Sequence, residues 1–364
     1  MQTIIRAGKI FTGDAWLEDH FIVTENGRVA SIEKEFLSGG SVIDRSGGLV
    51  VPAFIDVQVY GAGGRLLSAY PEPQTLGLMQ SIFAREGTVL FLPTLATNSL
   101  SVFRQAIDAI RSYWKEGGKG VHGVHLEGPW INSAKRGAHL PEYVQVPTPA
   151  DVKELLTYGD GVIKMITLAP EVCTDEVLEM IAAQGVLMSA GHSNGTYEQA
   201  IRGFDKGIRR VTHLFNAMSP LQHREPGLAG AAMDDGRVMA SIIPDGIHVD
   251  FAAVRIAKSA MGQRLFAITD AVTETTEGPY RHQLAGDHYQ CDGTLSGSAI
   301  SMHGAFLNLV NRAGIHVDEA LRMCSLYPAR ALECDDRFGT ISPGSAAQFL
   351  VLDQELNIAD VIIL

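Results

Sequence analysis

With 364 residues, 46 % of them hydrophobic and 19 % charged, the chain can bury a large core without disulfides or metals to hold it together. Its formal net charge of −12 argues against nucleic acid or an anionic membrane as a partner, since both want positive surface. Four cysteines, Cys173, Cys291, Cys324 and Cys334, show no CxxC spacing and read as reduced thiols. No stretch approaches the roughly 18 apolar residues of a spanning helix, and the start, MQTIIRAGKIFTGD, lacks the apolar core of a signal peptide, so a cytoplasmic protein is expected.

In chain order, residues 1–51 predict short strands and turns. TIIRAGKIFTG, HFIVTENGRVASIEK and SVIDRSGGLVV alternate apolar and polar residues, and Asn26-Gly27 is a hairpin signal. The tail, GTISPGSAAQFLVLDQELNIADVIIL, has the same texture. Two strand-rich ends around a different middle predict one small β-sandwich domain built from residues 1–51 and 337–364.

Between them, over 52–336, the rhythm changes. Eight apolar runs are expected as strands: LVVPAFIDVQVY, TVLFLPTL, GVHGVHLEGPW, VIKMITLAPE, GVLMSAGHS, RVTHLFNAM, MASIIPDGIHV and RLFAITDAV. LMQSIFARE, SVFRQAIDAIRSYWKE, DEVLEMIAAQ, YEQAIRGFD and FAAVRIAKSAM fall among them, several with apolar residues at helical spacing. Near-continuous apolar strands alternating with helices imply a parallel sheet covered on both faces. Eight units fit an α/β fold of the TIM type, a (β/α)8 barrel.

Polar residues fall at the ends of these runs: Asp56, Gln58, Glu127, Glu171, His192, His213, His248 and Asp270. In a barrel those C-terminal ends form the active-site face. Glu127, His192 and His213 offer one carboxylate and two imidazoles. That set suits one catalytic divalent ion with an open position, Zn2+ foremost, with Fe2+ or another ion as alternatives. Taken singly, a strand-end histidine is more often an ordinary hydrogen-bonded residue; three donors on separate strand ends favour the metal. Asp270 is placed to take a proton from water and return it to a leaving amine, or else to shape a turn. His248 either polarises a substrate carbonyl, holds a sugar hydroxyl, or caps its own loop.

Lys135, Arg136 and His139, with His223 and Arg224, form a basic set for an anion, and Asn216 and Ala217 offer backbone N–H groups to phosphate oxygens. One motif points elsewhere. GHSNG fits GxSxG between a strand and a helix, which would make Ser193 a nucleophile with Asp270 and His282 or His303. That reading leaves Glu127, His192 and His213 without a role.

PAFIDVQVYGAGG, FLPTLATN, GVHLEGPWIN, KRGAHLPE, TLAPE, AGHSNGTYEQA, VTHLFNAMSP, HREPGLAG, IPDGIHVD, ITDAV, GTLSGSAISM and YPAR together make the chain resemble the N-acetylglucosamine-6-phosphate deacetylases of the amidohydrolase superfamily along nearly its whole length. The resemblance implies the same barrel and small β domain. It implies metal ligands at Glu127, His192 and His213, an acid/base at Asp270, and a histidine at His248 that orients the N-acetyl carbonyl. It places the sugar phosphate at Ala138, His139, Asn216, Ala217 and Arg224, with Arg224 supplied across a homodimer interface, and lines the sugar site with Met302 and His303. The expected reaction is metal-dependent deacetylation of N-acetylglucosamine 6-phosphate. The alternatives are the galactosamine epimer, the serine hydrolase, and a catalytically silent sugar-phosphate binder.

The chain departs from the superfamily on its first barrel strand. Where many amidohydrolases carry His-x-His for a second metal, it has Gln58-Val59-Tyr60. An amide and a phenol are poor substitutes for two imidazoles, so one metal is expected.

Overall fold

Residues 2–36 and 39–364 are described by the structure, a computed structural model. Met1, Leu37 and Ser38, inside the predicted small β domain, lie outside the described residues. Both ends of the chain contribute to one seven-stranded sheet. Its order is Ile358–Ile363, Gln348–Leu352, Ser41–Pro52, Gln2–Phe11, Phe21–Glu25, Arg28–Glu33, with Trp16–Glu18 paired to Gln2–Phe11. The Asn26-Gly27 turn sits as predicted, both residues left-handed with φ of 51° and 76°, which suits the strand twist of a tight hairpin.

The sheet curls until its far parts meet. Arg28 bridges Ala346, and the Ala347 N–H donates to the Gly27 carbonyl at 2.9 Å. The two layers expected of a sandwich are thus one rolled sheet around Ile5, Ile10, Ile22, Val50 and Phe349.

The middle of the chain is the (β/α)8 barrel. Its strands are β1 (Phe54–Val59), β2 (Thr88–Ala96), β3 (Val124–Glu127), β4 (Ile163–Leu168), β5 (Leu187–Ala190), β6 (Arg210–Val211), β7 (Met239–Ile242) and β8 (Leu265–Ala267). They pair in parallel in chain order, and nearly every residue on them is buried, as continuous apolar runs require. Closure lies just beyond the regular strands. The Asp270 N–H donates to the Gln58 carbonyl at 3.0 Å and the Tyr60 N–H to the Ala271 carbonyl at 2.9 Å.

The five expected helical stretches fall within helices Pro73–Arg85, Leu100–Lys115, Asp175–Ala183, Tyr197–Asp205 and Phe251–Met261, to within a residue at their ends. Gly227–Asp234 shows no helical period in sequence because its GLAGAA segment is buried on every side. A second feature is also absent from the sequence reading. Between β8 and helix Met302–Asn311, short antiparallel strands His282–Ala285, His288–Cys291 and Thr294–Leu295 fold over the barrel mouth.

Candidate active site

Glu127 is the last residue of β3 and is almost fully buried. The next residue must be glycine. At φ 91°, a Cβ on Gly128 would lie 2.1 Å from Thr97 Oγ1, whose hydroxyl donates to the Glu127 carbonyl at 3.1 Å. His192, His213 and Asp270 follow β5, β6 and β8 with left-handed φ of 48°, 34° and 53°. For residues other than glycine such backbone costs about 1 kcal/mol or more each and persists where function uses it.

Three donor atoms converge. His192 Nε2 and His213 Nε2 lie 3.2 and 3.0 Å from Glu127 Oε1, and 3.1 Å from each other. A tetrahedral ion with bonds of 2.0–2.1 Å has ligand edges of about 3.3 Å, so this triangle has the size of one face of such a site. The His192 Nδ1–H donates to the Lys135 carbonyl at 2.8 Å, which leaves the Nε2 lone pair facing inward. His139 joins from the loop after β3, with Nε2 3.0 Å from the other carboxylate oxygen, Glu127 Oε2. Glu127, His139 and His192 also form a compact group of metal-ligating atoms. The residues therefore fit a divalent ion, and His139, expected only at the phosphate, stands against the same carboxylate.

Asp270 borders this cluster. Gln58 Nε2 donates to Asp270 Oδ1 at 2.6 Å and to Glu127 Oε1 at 2.8 Å, and the Tyr60 hydroxyl donates to Glu127 Oε2. Burial, then the neighbouring Glu127 charge, pushes the Asp270 carboxyl well above its usual range. A divalent cation on Glu127 acts in the opposite direction. Glu127 itself is raised by burial, but His192 and His139 outweigh this and hold it well below the carboxylate range. Burial and the charges of Asp270 and Glu127 lift the Tyr60 phenol well above its ordinary value, so it stays a donor.

Tyr60, Glu127, His192, His213 and Asp270 line a cavity of about 340 Å3, a size common for small-molecule sites. Lys135, Ala138, His139, Asn216, Ala217 and His248 line it as well. His248 has acceptors at both ring nitrogens, Asp245 Oδ2 and the Ser296 carbonyl, each at 2.6 Å, and so carries a proton on each. Burial opposes that charge, but the Asp245 carboxylate outweighs it and raises the imidazole's proton affinity. The Asn216 N–H already donates to the His213 carbonyl at 2.9 Å, while its side-chain amide reaches the His213 and Leu214 carbonyls only at 3.4 and 3.5 Å, so the amide is freer to turn to a phosphate than the backbone donor expected from sequence.

Other sequence expectations fall outside the cavity. Arg224 is exposed, and it does not line the cavity of its own subunit. Met302 is buried at the start of its helix, and the His303 Nε2–H donates to the Leu356 carbonyl at 2.8 Å, facing the small domain. Neither touches the cavity, because that helix begins after the chain has left the barrel mouth. Ser193 is no exposed elbow: its buried hydroxyl donates to Glu171 Oε2 at 2.7 Å and accepts from the Gly195 N–H at 3.1 Å. Tyr280, unremarked in sequence, and His282, named there only as a partner for Ser193, line the cavity from the start of the strands over the mouth. The Gly286 and Asp292-Gly293 turns were the available signal for that hairpin.

The sequence model of the amidohydrolase family matches residues 49–364. An N-acetylglucosamine-6-phosphate deacetylase of Bos taurus is 37 % identical over 98 % of this chain and 91 % of its own. An N-acetylgalactosamine-6-phosphate deacetylase of Escherichia coli O157:H7 is 33 % identical over 99 % and 98 %. The crystal structure of N-acetylglucosamine-6-phosphate deacetylase from Pasteurella multocida superposes with a TM-score of 0.94 at 30 % identity, covering 100 % of this chain and 98 % of that one.

Proposed function

This chain belongs to the amidohydrolase family, and we propose that it hydrolyses N-acetyl-D-glucosamine 6-phosphate to D-glucosamine 6-phosphate and acetate. The observation that carries the reading is the pairing of Asp270 with the Glu127, His192 and His213 triangle on one cavity wall. Glu127, His192 and His213 hold one divalent ion, Zn2+ by preference for their nitrogen and oxygen donors, with Fe2+ as the alternative. Held there, the ion supplies Lewis acidity, lowering the proton affinity of water and polarising a carbonyl.

The protein's own residues do the rest. Asp270 takes a proton from the attacking water and passes it to the departing amine nitrogen. His248, a donor at both nitrogens, exchanges the Ser296 carbonyl for the acetamide oxygen and stabilises charge building there. Ala138, His139, Asn216 and Ala217 hold the sugar phosphate, with Lys135 beside them. Arg224, exposed and not lining its own cavity, reaches the neighbouring site in a homodimer. The barrel, 52–336, carries all of this chemistry, and the small domain of 1–51 and 337–364 stands apart from it. No helix among the described residues is long and apolar enough to cross a membrane. We place the reaction in the cytoplasm on the ground that a charged sugar phosphate does not cross a bilayer unaided and stays in the compartment that forms it.

The Escherichia coli O157:H7 relative supports a second reading, in which the galactosamine epimer is the substrate. Acetate release from both epimers, before and after chelation and with metal content recorded, tests both. The expected result is a higher kcat/KM on the glucosamine epimer, lost on chelation and restored by Zn2+. Preference for the galactosamine epimer selects the second reading, and turnover indifferent to chelation refutes the metal.

A further inference from the structure

Gln58 and Tyr60 stand where the sequence departs from a metal-binding pattern, and the hydrogen atoms they carry can be counted. The Gln58 amide nitrogen has two and the Tyr60 hydroxyl one. The atoms facing the Gln58 head group include two carboxylate oxygens, so its nitrogen must be the atom that meets them. One hydrogen goes to Glu127 Oε1 at 2.8 Å, one to Asp270 Oδ1 at 2.6 Å, and the phenol's to Glu127 Oε2. Tyr60 Oη also lies 3.0 Å from Gln58 Nε2 and 3.3 Å from Asp270 Oδ1, with no hydrogen left for either contact. Three hydrogens meet three of the four carboxylate oxygens. Among the described residues, none is bonded to Asp270 Oδ2, on a residue that lines the cavity.

The same two residues also fix the backbone. The Gln58 carbonyl accepts the Asp270 N–H at 3.0 Å, and the Tyr60 N–H donates to the Ala271 carbonyl at 2.9 Å, pinning Asp270 in its left-handed conformation. Two buried carboxylates side by side repel each other, and a cation is one way to hold them. Between Glu127 and Asp270 the bridging donors are neutral.

We infer that Gln58 and Tyr60 form an uncharged clamp that orients Glu127 for the metal and presents Asp270 Oδ2 as the single oxygen free to carry the proton. Both are positioning residues, and the inference rests on the hydrolytic reading above. Y60F removes one oxygen atom and Q58M keeps the side-chain length, so each tests one arm of the clamp with little change of volume. Zn2+ affinity is measured by competition with a chromophoric chelator, and kcat and KM at saturating Zn2+. Loss of a partner that orients a metal ligand typically costs 10–100-fold.

Y60F should bind Zn2+ at least ~10-fold more weakly, and Q58M should lose at least ~10-fold in kcat with KM within about threefold. Zn2+ affinity unchanged in Y60F overturns the clamp, and so does a Q58M defect confined to KM or no defect at all. Zn2+ affinity is independent of sugar turnover. A wild-type protein that binds Zn2+ but releases no acetate from either epimer would therefore refute the hydrolytic reading and leave the Tyr60 result standing.

Discussion

Replacing Asp270 with asparagine separates proton transfer from everything else at the site. The amide has the same size, and its oxygen still accepts from Gln58 Nε2, 2.6 Å from the present Oδ1. Asp270 lies outside the triangle of Glu127, His192 and His213, so the metal should stay. What disappears is a group that both takes and returns a proton. General acid–base catalysis contributes about 10²–10⁴-fold, and here one residue serves in both directions. We therefore expect kcat to fall at least ~10³-fold, about 4 kcal/mol at 1.36 kcal/mol per tenfold, with KM within about threefold. Acetate release measures the first, and elemental analysis of the dialysed protein checks the metal. A D270N protein within tenfold of wild-type kcat would refute the proton role, and one that lost its metal would make Asp270 a ligand.

H192A and H213A should lose their ion on dialysis while H139A keeps it, since His139 meets the far oxygen of Glu127. Metal retained in H213A would hand the third ligand to His139. R224A should raise KM for the phosphorylated sugar by roughly 10–100-fold, the loss of one charge-assisted contact, and scarcely change that for the unphosphorylated sugar. Equal effects on both would remove Arg224 from the phosphate. Asp56 is fully buried, and burial pushes its carboxyl up to about 6, against the bonds it accepts from Thr269 and Gln58. The folded chain thus binds more protons than the unfolded one between about pH 4 and 6, so this residue's contribution falls as pH rises through that window, by about 3 kcal/mol in all. The Tm of D56N relative to wild type should improve between about pH 4 and pH 6.5, and a gap independent of pH would refute the burial argument.

Much of the site was legible because a parallel barrel obeys a simple geometric rule. Apolar runs become strands buried on both faces, and whatever ends them is carried to one mouth. Glu127, His192, His213, His248 and Asp270 needed no more than that. His139 did not follow the rule, because it reaches Glu127 through a loop of short turns that no hydrophobic period describes. The hairpin carrying Tyr280 and His282 escaped for a similar reason: its strands are short, and His282–Ala285 carries mostly polar or exposed residues. Met302 and His303 were misplaced because sequence adjacency to the barrel mouth is not proximity to it once a helix turns away.

By itself, then, the sequence determined the architecture and the donor types, since periodicity and residue chemistry are local properties of a chain. Tertiary structure alone decided that Gln58 and Tyr60 meet three carboxylate oxygens, that His139 stands against Glu127 Oε2 beside the expected triangle, and that Asp270 keeps one oxygen bare. Those choices turn on fractions of an ångström between side chains far apart in sequence. Only the closed barrel, with β1 and the end of β8 tied together, brings them within hydrogen-bonding distance.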